Sequence, residues 1–127
     1  MKKFDNFCKA LNNLEDIKNY NPPYDNVVLT GLVFLYQICF EQAWKCMKEC
    51  LEIGGVTTSG SPRSIIKDAY KFDMIENEDA WLDALKSRNE ASHIYNEQTA
   101  LEVIVKINDV YLDLFHELKR NIEQTWL

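Results

Sequence analysis

Two helix-breaking pairs, Pro22-Pro23 and Gly54-Gly55, enclose a stretch that is apolar on nearly all sides from Val27 to Phe40. A helix of that kind either lies at the centre of a bundle or sits in an interface between copies, because water cannot solvate any of its faces. At about 14 residues the apolar run is shorter than the roughly 20 that a bilayer needs. Gln37, Glu41 and Gln42 interrupt it further. The reading is therefore a buried helix and no membrane partner. Asp25 is placed to cap its start, and the run ends at about Ile53, where the two glycines stop it.

The rest of the chain arranges itself around that helix. Phe4, Phe7, Leu11, Leu14 and Ile17 recur at three and four residues, which predicts a first amphipathic helix closed by the prolines. The stretch 54–60 reads as a loop. Ser61-Pro62 opens a short third helix to about Phe72, with proline at the first helical position. Asn77-Glu78-Asp79 opens a fourth, its acids at the favourable end of the dipole, with Trp81, Leu82 and Leu85 as apolar positions. Asn96-Glu97 opens a fifth carrying Leu101, Ile104, Ile107, Val110 or Tyr111, Leu114, Leu118 and Ile122. No strand alternation survives the turns. The expected fold is all-α, an antiparallel bundle of about five helices in a single domain over residues 1–127.

Charge narrows the function. Lys and Arg number 14 against 20 Asp and Glu, a net charge of −6. Non-specific binding along a polyanion needs the opposite balance, so any nucleic-acid role must be local. Met1-Lys2-Lys3-Phe4-Asp5 lacks the apolar run of a signal peptide, and a cytoplasmic location is expected. Cys8, Cys39, Cys46 and Cys50 have neither a CxxC pair nor zinc spacing, so they read as reduced thiols, with no metal and no cofactor expected.

Chemistry gathers between helices four and five, in Ser87-Arg88-Asn89-Glu90-Ala91-Ser92-His93-Ile94-Tyr95. Histidine titrates near neutrality and moves protons; arginine grips phosphate oxygens. On an unbroken helix Asn89 and His93 share a face, while Arg88 lies about 140° away and reaches His93 only by its length, by a break in the helix or across a subunit boundary. By spacing alone, such a pair more often caps carbonyls than catalyses.

The pattern of the residues says more. Arg88-x4-His93-x-Tyr95 resembles the Arg-x(4–6)-His signature of the HEPN superfamily, in the RNxxxHxY form of HepT-type toxins, also described as nucleotidyltransferase substrate-binding proteins. Phe40-Glu41-Gln42-Ala43-Trp44-Lys45 resembles their FELAWK segment, Ser61-Pro62-Arg63 their SPR helix start, and Glu78-Asp79-Ala80-Trp81-Leu82 their acidic-Trp-Leu segment. Tyr95-Asn96-Glu97-Gln98-Thr99-Ala100 resembles the stretch after the histidine, so the likeness runs in order from about residue 31 to 118. It implies a HEPN-like bundle that forms a homodimer and brings two motifs toward one composite cleft. It also implies a metal-independent ribonuclease acting on RNA, tRNA among the candidates, by attack of the ribose 2′-hydroxyl. His93 would transfer protons, Arg88 hold the phosphate and Asn89 support both. The implied partner is a minimal nucleotidyltransferase (MNT) antitoxin that adenylylates Tyr95. The alternative is a non-catalytic substrate-binding subunit of a two-component nucleotidyltransferase. One stretch departs from the family: Phe34-Leu35-Tyr36-Gln37 stands where many relatives have a polar QRFE-like sequence, which bears on activity and not on fold.

Other features have plainer readings. Arg63, Lys67 and Lys71, four apart, form a basic stripe that either guides RNA or a partner, or is a solvated face. His116, near Asp113 and Glu117, reads as a structurally satisfied histidine. Trp44 and Trp81 read as core or interface anchors, and Trp126 as an exposed aromatic that meets a partner or frays.

Overall fold

A computed structural model describes residues 1–91 and 96–127. Its helices are α1 (Lys2–Leu14), continued by a 3₁₀ turn (Glu15–Asn19), α2 (Asn26–Ile53), α3 (Pro62–Lys71) and α4 (Glu78–Ala91). A fifth rod follows, made of α5 (Glu97–Lys106), a π-helical turn (Ile107–Tyr111), α6 (Leu112–Asn121) and a closing π turn (Ile122–Trp126). Among the described residues there is no strand.

Local chemistry sets the ends of these rods. The side-chain oxygens of Asp25, Ser61, Asn77 and Asn96 accept from the N–H groups of Val28 (3.0 Å), Ser64 (3.2 Å), Ala80 (3.0 Å) and Gln98 (2.9 Å). Each satisfies one donor that a helix start leaves unpaired. α2 closes with Val56 N–H on the Leu51 carbonyl (2.9 Å) and Gly55 N–H on that of Glu52 (3.0 Å). Gly55 takes φ +89°, the left-handed geometry such a closure requires. α3 closes in the same way with Asp73 in the left-handed position (φ 61°).

α2 is the axis of the bundle. It packs against α1, α3, α4 and α5, and α6 returns to α1. The whole helix is 28 residues long, and its 18-residue window has a mean hydropathy of 1.4. It is thus long and apolar enough to cross a membrane, which the 14-residue apolar run alone did not suggest. Its Leu29, Leu32, Val33, Tyr36, Cys39 and Phe40 are buried in the bundle core. There Phe115 meets Phe7 edge-on (6.2 Å between centroids) and Trp81 edge-on (5.6 Å), while Tyr36 stacks on Tyr111 (5.3 Å).

The fifth rod settles the choice between Val110 and Tyr111. Tyr111 is buried and Val110 exposed. The π turn takes one extra residue into the turn and so shifts the register of the rod's buried face, and Leu112 follows Tyr111 into the core. Asn108 Nδ2 donates to the Ile104 carbonyl (3.3 Å) beside this turn.

Of the plainer readings, those of His116, Trp44 and Trp81 hold and that of Trp126 needs amendment. His116 pairs with Glu15, 101 residues away, and not with its sequence neighbours Asp113 or Glu117. Trp126 is half-buried: its ring lies 3.2 Å from the position a Cβ at Gly54 would take, so it covers the end of α2. Trp44 is half-buried, whereas Trp81 is fully buried. Cys46 and Cys50 are buried free thiols side by side on α2.

Candidate active site

Arg88 sits in the last turn of α4. Its Nη2 donates to Glu41 Oε2 of α2 at 2.7 Å, and its Nη1 donates to the neighbouring Asn89 Oδ1 at 3.1 Å. The guanidinium is thus held between two helices, with its fork spread over two acceptors. Glu41 also accepts from Trp44 Nε1 (3.0 Å) and pairs with Lys45 (3.4 Å). One carboxylate therefore gathers an arginine, an indole and a lysine.

Burial pushes the Glu41 carboxyl up, but the Trp44 hydrogen bond, the Arg88 charge and Lys45 together outweigh it and hold the group below the usual glutamate range. With its folded-state value depressed, the stability Glu41 contributes is complete above the ordinary value of about 4.3 and is lost as pH falls through the folded value. Glu41→Gln is expected to flatten that part of the acid limb. Urea midpoints at pH 7 and pH 3 check this, and an unchanged difference between them would count against the coupling.

The rest of α4 is anchored from its buried side. Ser87, buried although polar, shares a 2.7 Å hydrogen bond with the Tyr111 hydroxyl, which also lies 2.7 Å from Asp83 Oδ2. Asp83 in turn pairs with Lys106 (3.3 Å). The Tyr111 hydrogen bond outweighs burial and, with Lys106, holds the Asp83 carboxyl down, while burial pushes the Tyr111 phenol up. Tyr36 donates to the Ala84 carbonyl at 2.6 Å. These bonds fix the pitch and height of α4, and so the position from which Arg88 departs.

Arg88 lines a groove of about 340 Å³ with Gln37, Ile38, Glu41 and Gln42. The Gln42 side-chain carbonyl is buried there without a hydrogen-bond partner among the described residues. Asn89 is exposed and lines a neighbouring groove of about 510 Å³ with Arg63, Leu82, Leu85, Lys86 and Glu90. Arg63, Lys67 and Lys71 are all exposed on α3, and of the three Arg63 reaches the wall of the Asn89 groove. His93 and Tyr95 lie outside the described residues. Among the described residues no three His, Cys, Asp or Glu side chains converge as a metal site.

Residues 2–124 match the family described as nucleotidyltransferase substrate binding protein like. The chain belongs to that family. A curated relative from Haemophilus influenzae, named "Probable ribonuclease HepT", is 23% identical over 92 residues. That match takes in 69% of this chain and 63% of the relative, so it spans less than two thirds of the relative's own length. Two solved structures share the fold. One, from Haemophilus influenzae and described as showing the fold of a substrate-binding domain of a nucleotidyltransferase, has a TM-score of 0.80 at 20% identity, covering 95% of this chain and 99% of that one. The other, from Thermus thermophilus, has a TM-score of 0.78 at 23% identity, covering 88% and 94%.

The family segment Phe40-Glu41-Gln42-Ala43-Trp44-Lys45 carries residues that the sequence reading did not place at the site. Glu41 enters the sequence pattern only as part of a resemblance, yet it holds Arg88. Ser87 gave a signal of its own, a hydroxyl on the face that buries Ala84 and Ala91. The divergent stretch Phe34-Leu35-Tyr36-Gln37 divides in space: Tyr36 is core, Phe34 is 58% exposed, and Gln37 faces the Arg88 groove.

Proposed function

We propose that this protein is a HEPN-type toxin: a metal-independent ribonuclease acting by ribose 2′-hydroxyl attack and neutralised by an MNT-type nucleotidyltransferase that adenylylates Tyr95. The observation that carries the reading is Arg88, fixed by Glu41 and Asn89 at a groove mouth, with four residues between it and the histidine of its motif. A guanidinium so held is oriented to meet a phosphate and to stabilise charge developing on phosphorus. His93 would take the proton from the 2′-hydroxyl and return one to the leaving 5′-oxygen, and Asn89 would hold Arg88 in register. The curated name of the Haemophilus relative favours the same activity.

A second copy of the chain completes the site in this reading. Val27, Phe34 and Ile38 leave apolar surface on α2, and Ile38 also walls the Arg88 groove, so the exposed stripe runs into the site. Burying that stripe against its counterpart would bring two Arg88–His93 motifs to one cleft. The Arg63, Lys67 and Lys71 face would guide RNA or the antitoxin toward it.

The test is incubation of purified protein with total tRNA in EDTA, beside His93→Ala. Cleavage by the wild type and none by the variant is the expected result. Absence of cleavage by both would favour a second reading, a non-catalytic substrate-binding subunit of a two-component nucleotidyltransferase. The net charge of −6 and the apolar residues of the Phe34-Leu35-Tyr36-Gln37 stretch speak for that alternative. Under the toxin reading, intact mass should rise by AMP units with the nucleotidyltransferase and ATP, and Tyr95→Phe should show no rise.

A further inference from the structure

On the other side of Glu41 lies a groove of about 480 Å³ that the motif does not include. Lys3 of α1 and Trp44, Lys45 and Lys48 of α2 line it, with Glu49 and Glu52 at the same wall. Glu41 joins it to the Arg88 groove, because the same carboxylate holds Arg88, the Trp44 indole and Lys45. Among the described residues neither Lys3 nor Lys48 forms an ion pair, although two glutamates share their groove. Lys48 Nζ comes within 3.5 Å of the position a Cβ at Gly60 would take, so the loop before α3 runs beside that ammonium. In a chain of net charge −6, this groove has three ammonium groups against two carboxylates, two of the lysines without an ion pair among the described residues, and an aromatic ring beside them.

We propose that this groove is a single-stranded RNA subsite, holding the nucleotide next to the phosphate at Arg88. Lys3 and Lys48 contact its phosphates, and the Trp44 ring supplies a stacking face for its base. Ammonium groups tracking a backbone beside an aromatic ring are the recurring physics of single-strand binding, and the ring tolerates any base because every base has a π-face. Lys45 serves both grooves, neutralising Glu41 on one side and facing the strand on the other. The identity of the strand rests on the ribonuclease reading above; the geometry of the groove does not.

The experiment uses the full-length His93→Ala protein, so that RNA survives, and a fluorescent 12-nucleotide oligouridylate followed by anisotropy across a salt series. Each lost phosphate contact on a single strand lowers the salt slope by about 0.7. Lys3→Gln with Lys48→Gln should therefore reduce the slope by about 1.4 and weaken binding about 25-fold at 0.1 M salt. Lys119→Gln with Arg120→Gln, the same charge change on α6, should leave both nearly unchanged. RNA should quench indole fluorescence, and Trp44→Phe should remove the quench. Equal weakening by both double variants, or by neither, overturns the subsite. So does loss of nucleotidyltransferase binding with RNA binding intact, which would make the groove a protein-docking surface. Separate cleavage assays in proteins that keep His93 hold the two ideas apart. Normal cleavage and KM in Lys3→Gln/Lys48→Gln would sink the subsite and spare the ribonuclease. Salt-dependent binding through these lysines without any cleavage would do the reverse.

Discussion

If the proposed ribonuclease reading holds, Arg88→Ala is expected to reduce metal-independent RNA cleavage by about 10²–10³-fold, the range typical of losing one preorganised donor to transition-state charge. Its cost to the fold should be small. The side chain is 29% exposed, and Glu41 keeps Trp44 and Lys45 when Arg88 is gone, so about 1 kcal/mol or less of stability depends on the pair. Thermal melting and single-turnover cleavage, measured on the same preparation, separate the two effects. Arg88→Lys sharpens the test. Lysine keeps the charge but has no planar fork, so it cannot hold Glu41 and Asn89 while also meeting a phosphate. It should therefore recover the melting temperature but only part of the rate. Full activity in Arg88→Ala would remove this residue from the site.

Phe115→Ala is the substitution with the largest expected effect on stability. The ring is fully buried and touches Phe7 of α1, Tyr36 of α2 and Trp81 of α4, so one side chain of α6 ties three other helices together. Truncation removes the transfer energy of the ring and leaves a cavity whose rigid aromatic walls collapse poorly, a loss of about 3–5 kcal/mol. Domains of this size have about 5–15 kcal/mol in all. The melting temperature should fall by about 10–20 °C, and Phe115→Leu, which refills most of the space, should lose much less. A drop of only a few degrees for alanine would mean that the core relaxes into the gap.

How much of this was legible in the sequence depended on the range over which each feature acts. The caps Asp25, Ser61, Asn77 and Asn96 were readable because their bonds close within three residues. The Gly54-Gly55 stop was equally local. Arg88 and Glu41 were both visible as motif residues, but their ion pair spans 47 positions, and no periodicity connects them. His116 read correctly as structurally satisfied, but its partner Glu15 is 101 positions away and no local pattern names it. Trp126 read as an exposed tail residue because nothing near it in the chain announces that Gly54 leaves a space for an indole. The extent of α2 was legible from its cap and its glycine stop, whereas hydropathy alone sees an apolar rod and tertiary contact makes that rod the bundle axis.

The turn at Ile107–Tyr111 gives the last rod a property that the other helices lack. A π turn holds one residue more than the α-helix it interrupts, so the chain carries a spare link between Lys106 and Leu112. Asn108 and Asp109 face solvent there. Excising either would let the rod close into an unbroken α-helix, with the faces of α5 and α6 still aligned to their neighbours. The same excision in α2 would swing everything beyond it through about 100° and turn the core outward. The fold can thus shorten by one residue in this rod and keep its packing, an indel tolerance set by geometry and located on the helix that braces the candidate site.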